Sequence, residues 1–295
     1  MTSSVQRPNP VKVRVVCISD THGHSTGEGF KLPAGDVLVV AGDLTNQGSL
    51  HELKKAAHWL EQADFEHKII TAGNHDLSLD VRYQAKHAEG WNVTPVAAEE
   101  CRQLIRNIPG VTYLEHNDCT LQIKGHSLRV FGSPYSVDRG KQNWAFQYSA
   151  EDAHVTWTAI PTNTNILITH TPPAGVLDNS THWIDGGCPS LLAKVSAVRP
   201  LLHVFGHHHE GRGACILKWD EKDELTVTKW SDPGEGNRKQ SLLDLTRTLH
   251  EQESGKRYTA AVNASIMRTS WSRSATMGFN KPIVVDLNID HFACN

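Results

Sequence analysis

The sequence predicts an α/β fold built on two sheets, and three observations carry that reading. Five apolar runs, each the length of one strand, end in residues able to ligate a cation. The second and third runs flank a helical pattern, so they pair in parallel through a crossover. Further along, three short strand-like runs follow one another and read as a meander.

Val11 to Val16 alternates apolar and polar residues before the run turns wholly apolar, as in a strand entering a core. The run Val13 to Ile18 delivers Ser19-Asp20-Thr21-His22. In extended backbone, side chains two residues apart face one way, so Asp20 and His22 can share a cation. Alone, the pair reads equally well as a turn-capping carboxylate beside a surface imidazole. Val37 to Ala41 delivers Gly42-Asp43, where glycine lets the backbone approach a ligand. Ser49-Leu50-His51-Glu52 matches a capping box. Leu53, Ala56, Ala57 and Leu60 then recur at helical spacing. Lys68 to Ala72 leads into Gly73-Asn74-His75-Asp76. An amide, an imidazole and a carboxylate are thus presented at a strand end, where ligands of α/β sheets bind.

Glu99 to Asn107 predicts a short helix that stops before Pro109-Gly110. Val111 to Leu114, Cys119 to Ile123 and Leu128 to Phe131 form the expected meander, and Gly132-Ser133-Pro134-Tyr135 ends it. Asn143-Trp144-Ala145-Phe146 is an aromatic patch that suits loop packing better than a binding wall. Ala150 to Trp157 predicts another helix. Ile166 to Thr169 delivers His170, and the prolines after it stop the strand. Gly186-Gly187-Cys188-Pro189 opens a helix over Ser190 to Val198. Leu201 to Phe205 delivers Gly206-His207-His208-His209. An extended chain would put His207 and His209 on one side and His208 on the other. Cys215 to Trp219 and Leu225 to Trp230 read as a hairpin. Leu242, Leu245 and Leu249 have helical spacing within a charged stretch. Residues 232–257 are expected to form a mobile insertion in a single domain spanning 1–295, and Ile283 to Leu287 is the closing strand.

An apolar fraction of 39% with eight tryptophans supports a substantial core. The 29 basic and 32 acidic residues leave a net charge of −3, with no basic tract for an extended nucleic-acid surface. No apolar run approaches the roughly 20 residues that cross a bilayer. The polar start, Met1 to Pro10, lacks the apolar core of a signal peptide. These features predict a cytoplasmic protein with no extended nucleic-acid partner and no membrane contact; the oligomeric state stays open. The six cysteines are scattered without a C-x-x-C pair and are expected to be reduced thiols. Cys17, inside a strand, reads as a small buried hydrophobe. The 18 histidines are a surplus, so position must select the ligands. His24, His182, His203 and His208 are expected in ordinary structural or surface roles. Arg139, Lys141 and Arg212 are expected as solvated charges.

Taken together, Asp20-x-His22, Gly42-Asp43, Gly73-Asn74-His75-Asp76, His170 and Gly206-His207-x-His209 resemble the blocks of the calcineurin-like metallophosphoesterases, in their order and without a gap. The resemblance spans about residues 13 to 213, with the closing strand. It is closest to the MPPED-type metallophosphoesterase-domain subgroup. The stretches that carry this are Gly132-Ser133-Pro134, Asn143-Trp144-Ala145-Phe146, Phe205 to Gly211, and Val262-Asn263-Ala264-Ser265 before Pro282-Ile283-Val284. Some members of that subgroup lack the first histidine of G-H-x-H and are weak enzymes; this chain retains His207. The stretch from Ile216 to Tyr258 departs from the compact subgroup pattern.

The resemblance implies a four-layer α/β/β/α sandwich of two mixed sheets. It also implies two divalent metals, the first held by Asp20, His22, Asp43 and His209, the second by Asp43, Asn74, His170 and His207. The chemistry agrees. One carboxylate has two oxygens, so Asp43 can bridge two cations. Paired metals activate a water and stabilise the attacking and leaving oxygens of an in-line displacement. Nitrogen and oxygen ligands without thiolate suit Mn, Fe, Zn or Ni, with Mn favoured here. His75 is left over from metal binding and is assigned as general acid or phosphoryl donor, with Asp76 accepting its ring N–H. Asn74 and His75 are the substrate-binding residues. The resemblance implies a small phosphoester substrate, and the expected activity is phosphodiester hydrolysis, cyclic nucleotides included, by a metal-bridging hydroxide. The alternatives are a weakly active nucleotide- or metal-binding scaffold, a phosphomonoesterase and a protein phosphatase.

Overall fold

A computed structural model describes residues 11–87, 95–140, 143–181, 186–246, 258–269 and 278–289. The chain begins with strand β1 (Val11–Ile18), β2 (Val37–Ala41), helix α1 (Leu50–Gln62) and β3 (His67–Thr71). Helices α2 (Val81–Lys86) and α3 (Pro95–Arg106) lead to β4 (Val111–Leu114). Next come β5 (Asn117–Ile123), β6 (His126–Ser133), the two-residue strands β7 (Ser136–Val137) and β8 (Gln147–Tyr148), and α4 (Ala153–Thr158). Strand β9 (Ile166–Thr169), α5 (Pro189–Val198), β10 (Leu202–Phe205), β11 (Gly213–Trp219) and β12 (Leu225–Lys229) follow. The last described strands are β13 (Ser241–Asp244), β14 (Tyr258–Asn263) and β15 (Ile283–Ile289).

Two large mixed sheets result. One has the order β13-β15-β1-β2-β3-β4, the other β12-β11-β14-β10-β9-β6-β5. Alternation along β1 shows how they stack. Val13, Val15 and Cys17 face a core that also contains Val130, Ile166, Ile168, Leu202 and Val204 of the second sheet. Val16 and Ile18 face the other way, with Leu53, Ala56 and Leu60 of α1 and Ile105 of α3. On the far side, Phe131, Leu167 and Phe205 pack with Trp157 of α4 and Leu191 and Val195 of α5. Four layers follow, helices outside and sheets inside. A strand buried on both faces must be apolar almost throughout, which is why these runs read as unbroken in the sequence. Each fully buried aliphatic side chain contributes about 1.5–3 kcal/mol.

The capping box forms: the Ser49 hydroxyl accepts from the Glu52 N–H, and the Glu52 carboxylate accepts from the Ser49 N–H. Cys188 caps α5, with Pro189 in its first turn. The expected hairpin also forms, as β11 and β12. Among the described residues no helix is long and apolar enough to cross a membrane. The five described cysteines are free, and Cys17 lies in the inner core as expected.

Two expectations are corrected. Val111 to Leu114 is not part of a meander. It pairs in parallel with β3, Lys68 opposite Val111, because α2 and α3 intervene and return the chain in the same direction. Only Cys119 to Ile123 and Leu128 to Phe131 pair antiparallel, around Lys124 and Gly125. Both turn residues have positive φ, 49° and 82°, as a two-residue hairpin with right-handed twist requires. The helical spacing of Leu242 and Leu245 is likewise misleading. Ser241–Asp244 is an edge strand parallel to β15, and adjacent Leu242 and Leu243 go to opposite faces of the sheet. Leu249 and the rest of 247–257 lie outside the described residues.

Strands β1, β2 and β3 are parallel neighbours, as are β9, β10 and β14. Their carboxyl ends meet. The Ser19 N–H donates to the Ala264 carbonyl at 2.9 Å, and His170 Nδ1 lies 2.9 Å from the Ala41 carbonyl. The loops that leave these ends therefore converge on one place.

Candidate metal centre

Seven expected ligands stand at those strand ends. Asp20 and His22 follow β1, Asp43 follows β2, Asn74 follows β3, His170 follows β9, and His207 and His209 follow β10. Four of them have left-handed backbone: Asp20 at φ 53°, His22 at 42°, Asp43 at 52° and His207 at 68°. Non-glycine residues seldom adopt this region, and such outliers gather at functional sites at a cost of roughly 1–3 kcal/mol each. The extended-chain reading of Asp20-x-His22 and His207-x-His209 is therefore corrected. Asp20 and His22 still converge, through a left-handed turn. His207 and His209 separate into different groups.

The first group is Asp20, His22 and His209. The Nε2 atoms of His22 and His209 lie 3.2 Å apart, and His209 Nε2 is 3.4 Å from Asp20 Oδ1. Asp20 is fully buried. Burial pushes its carboxyl up, but the His209 contact and the nearby imidazoles outweigh that and hold it below the usual range. Its oxygens also accept from the His207 N–H at 3.0 Å and from the Ser265 hydroxyl at 2.7 Å. The Ser265 N–H donates to Asn263 Oδ1 at 3.2 Å, which fixes the serine beneath the carboxylate. Burial pushes His22 down to about 3, so its ring is neutral and its lone pair open to a cation.

The second group is Asp43, His170 and His207. Asp43 Oδ2 is 3.3 Å from His170 Nε2 and 3.7 Å from His22 Nε2, so one oxygen faces both groups. Asp43 Oδ1 accepts from the His75 N–H at 2.9 Å. Asn74 Oδ1 lies 2.9 Å from His170 Nε2. His170 Nδ1–H donates to the Ala41 carbonyl, which leaves Nε2 as the free ring nitrogen. A neutral His170 would then aim a lone pair at two oxygen acceptors. Something positive has to stand among them, a proton or a metal. Burial pushes His170 down, but the Asp43 carboxylate dominates and raises it to about 9. Burial and the neighbouring His170 push His207 well down, so it too offers a neutral lone pair. Nitrogen and oxygen donors without thiolate, one carboxylate shared, fit divalent transition metals.

Glycine is required where the groups meet. A Cβ on Gly73 would collide with Asp43 Oδ1, and one on Gly206 with Asp20 Oδ2 and Ser19 Oγ.

His22, Asp43 and His75 form a third such group, their ligand atoms within 4.8 Å of one another, so His75 shares a member with each of the other two. Its centroid is 4.6 Å from His22 and 4.0 Å from Trp144. Its Nδ1 lies 2.7 Å from the Asn46 carbonyl, so Nδ1–H donates there and Nε2 is left for chemistry. The expected His75–Asp76 contact is not formed. Asp76 is buried and accepts instead from Thr45 N–H and hydroxyl, from Gly73 N–H and from Leu44 N–H. Burial and the Asp43 charge raise it to about 6, against those bonds. Asp76 thus clamps the loop after β2 to the loop after β3, and the Asn46 carbonyl orients the imidazole.

The aromatic patch packs its loop as expected: Trp144 lies on the His75 ring, and Ala145 N–H donates to the Asn74 carbonyl at 3.0 Å. Ser265, inside the block Val262 to Ser265, supports Asp20, a role that its position in the sequence does not signal. Arg212 is not a solvated charge. It binds Asp232, the Ser241 hydroxyl and the Lys281 carbonyl, and so holds the 232–241 segment against the loop after β10. Arg139 donates to the Gly186 carbonyl at 3.0 Å. His203 is buried beside Thr169, and His208 is buried with Nδ1 2.9 Å from the Asp178 carbonyl, both structural as expected. His24 packs against Phe279. Lys141 and His182 lie outside the described residues.

A sandwich of two mixed sheets with carboxylate and imidazole groups gathered at its strand ends is the fold and site of the metallophosphoesterase class. The chain belongs to the calcineurin-like phosphoesterase family, which matches residues 13–211. Among curated proteins, Metallophosphoesterase domain-containing protein 1 of Homo sapiens is 35% identical over 216 residues, covering 69% of this chain and 63% of that one. UPF0046 protein K07C11.7 of Caenorhabditis elegans is 36% identical over 204 residues, 68% of this chain and 65% of its own length. A protein of Emericella nidulans named "Probable rhamnogalacturonate lyase C" is 40% identical over 211 residues, 70% of this chain but 18% of that protein. The chain thus spans less than two thirds of these relatives. The human relative bears the name of the subgroup whose blocks this sequence resembles.

Proposed function

We propose that the chain hydrolyses phosphodiesters, with nucleotide-type esters first among the substrates, and that it does so with two divalent cations, Mn favoured. One observation supports this above the rest: Asp43 Oδ2 faces both His22 and His170, so one carboxylate joins two ligand groups. Asp20, His22, Asp43 and His209 would hold one cation; Asp43, Asn74, His170 and His207 the other. When bound, such a pair supplies a nucleophilic hydroxide at neutral pH and positive charge for the phosphoryl oxygens.

The chain supplies the rest. Two cations against the carboxylates of Asp20 and Asp43 leave a net positive site, which attracts a phosphate anion. His75, its Nδ1–H held by Asn46, presents Nε2 to the leaving oxygen and, in the form in which Nε2 also carries a proton, passes that proton to it. The Asn74 amide, with Oδ1 turned to His170, keeps its N–H groups for a phosphoryl oxygen. The reducing cytoplasm is the compartment we propose.

Turnover of bis(p-nitrophenyl) phosphate with added Mn²⁺, alongside p-nitrophenyl phosphate, tests the reading. Faster diester hydrolysis, abolished by chelation and restored by metal, supports it. Tight mononucleotide binding without turnover of either ester would instead mark a non-catalytic scaffold.

A further inference from the structure

We propose that the recess behind Trp144 is a subsite for a flat aromatic group carried on the His75 side of the phosphoester. The inference rests on the phosphodiesterase reading of the metal centre and names a substrate feature which that reading leaves open.

The recess holds about 230 Å³, and its walls include Arg82, Tyr135, Asn143, Trp144, Phe146 and Gln147. Trp144 links it to the chemistry, since the same ring lies 4.0 Å from the His75 ring at a 33° tilt. A group carried on the oxygen that His75 protonates would lie next to Trp144, whose ring is shared between His75 and this recess.

The walls are already in place. Phe146 N–H donates to Asp80 Oδ2 at 2.7 Å, and Trp144 N–H to Gln147 Oε1 at 3.3 Å. Asp80 Oδ1 caps α2 by accepting from the Arg82 and Tyr83 N–H groups, so both oxygens of that carboxylate are engaged. Glu115 stands 3.6 Å from Arg102. Asp138, the third acidic residue of the lining, accepts from the Gly140 N–H at 2.7 Å. Arg82 is exposed, and its Nη2 donates to the Tyr135 hydroxyl at 3.1 Å, which holds a guanidinium at an aromatic mouth. Such a lining offers ring faces and a cation to a π-system, and the Gln147 amide N–H₂ to a polar ring edge. An alkyl ester would fill none of this.

The test compares two non-hydrolysable inhibitors of bis(p-nitrophenyl) phosphate turnover by the Mn-loaded full chain: naphthylmethylphosphonate and methylphosphonate. Stacking of this kind predicts that the naphthyl compound inhibits at least about tenfold more tightly. Tyr135→Ala and Arg82→Ala should each shrink that ratio. Arg82 is exposed, so its variant keeps the question open to measurement if Tyr135→Ala fails to fold. A wild-type ratio near one, or a ratio that neither variant lowers, overturns the subsite while the phosphodiesterase reading stands. Absence of turnover in the wild-type protein sinks that reading, and the subsite with it.

Discussion

Asp43 Oδ2 lies 3.3 Å from His170 Nε2 and 3.7 Å from His22 Nε2, so a residue after β2 joins ligands from β9 and β1. Replacing it should uncouple the two groups. Asp43→Asn keeps the shape but loses the charge that two cations would share. Metal content should fall from two per chain to one or fewer, and diester turnover by about 100-fold or more. Elemental analysis of the purified variant, beside its kinetics, reads both. Two metals retained at wild-type turnover would remove Asp43 from the bridge.

His75→Ala makes the opposite pattern. The ring donates to Asn46 and stacks on Trp144 but belongs to neither proposed ligand set. The variant should keep its metals and lose about 10²–10⁴ in kcat. The loss should be smallest for esters with acidic leaving groups, which need no proton. Equal losses for nitrophenyl and alkyl leaving groups would argue against proton donation.

Ser265→Ala deletes the 2.7 Å bond to Asp20 Oδ2 and removes a single buried oxygen. Supporting bonds of this type set metal affinity, so metal binding should weaken about 10–100-fold. Titration of the metal-free variant with Mn²⁺, followed by calorimetry, gives that number. Wild-type affinity would mean that the His207 N–H alone suffices to orient Asp20.

Asp286 predicts a pH effect far from the site. Its carboxylate, 1% exposed, takes two bonds from Arg14 at 2.7 and 2.8 Å and sits 2.6 Å from Lys12. Burial works against ionisation, but these cations win and lower its pKa below the ordinary 3.8. A group lowered on folding contributes stability that is complete above its unfolded pKa. That contribution is lost as pH falls through the folded value. Asp286→Asn should cost about 1–2 kcal/mol at neutral pH, given that Arg14 and Lys12 are partly solvated. The difference from wild type should close below about pH 4 in denaturant titrations. A gap that widens on acidification would contradict the sign.

The positions of the candidate ligands were legible because strands buried on both faces leave unbroken apolar runs, and each run ended on a ligand type. Asp20, His22, Asp43, Asn74, His170, His207 and His209 all stand where those runs stop. How they point was not legible. Left-handed backbone at Asp20, His22, Asp43 and His207 is imposed by bonds such as Asp20 N–H to the Gly42 carbonyl and His22 N–H to the Asp43 carbonyl, both 3.0 Å. Those partners lie more than twenty residues away. The carbonyl of Asn46, which holds His75, has no side-chain signature at all. Asp76 looked like the partner of its neighbour His75, but folding turned it to Thr45. Strand β4 was misassigned for a similar reason: its length and composition suit either sheet, and only the crossover through α2 and α3 decides. Leu242 and Leu245 satisfied a helical period by coincidence, while the adjacent Leu242 and Leu243 called for two opposite faces.

The most direct measurement is anomalous diffraction from crystals of the Mn-loaded protein. Two peaks roughly 3.5–4 Å apart, with Asp43 touching both, are the predicted result. A single peak, or two peaks of which one lies away from Asp43, would contradict a centre built on a shared carboxylate.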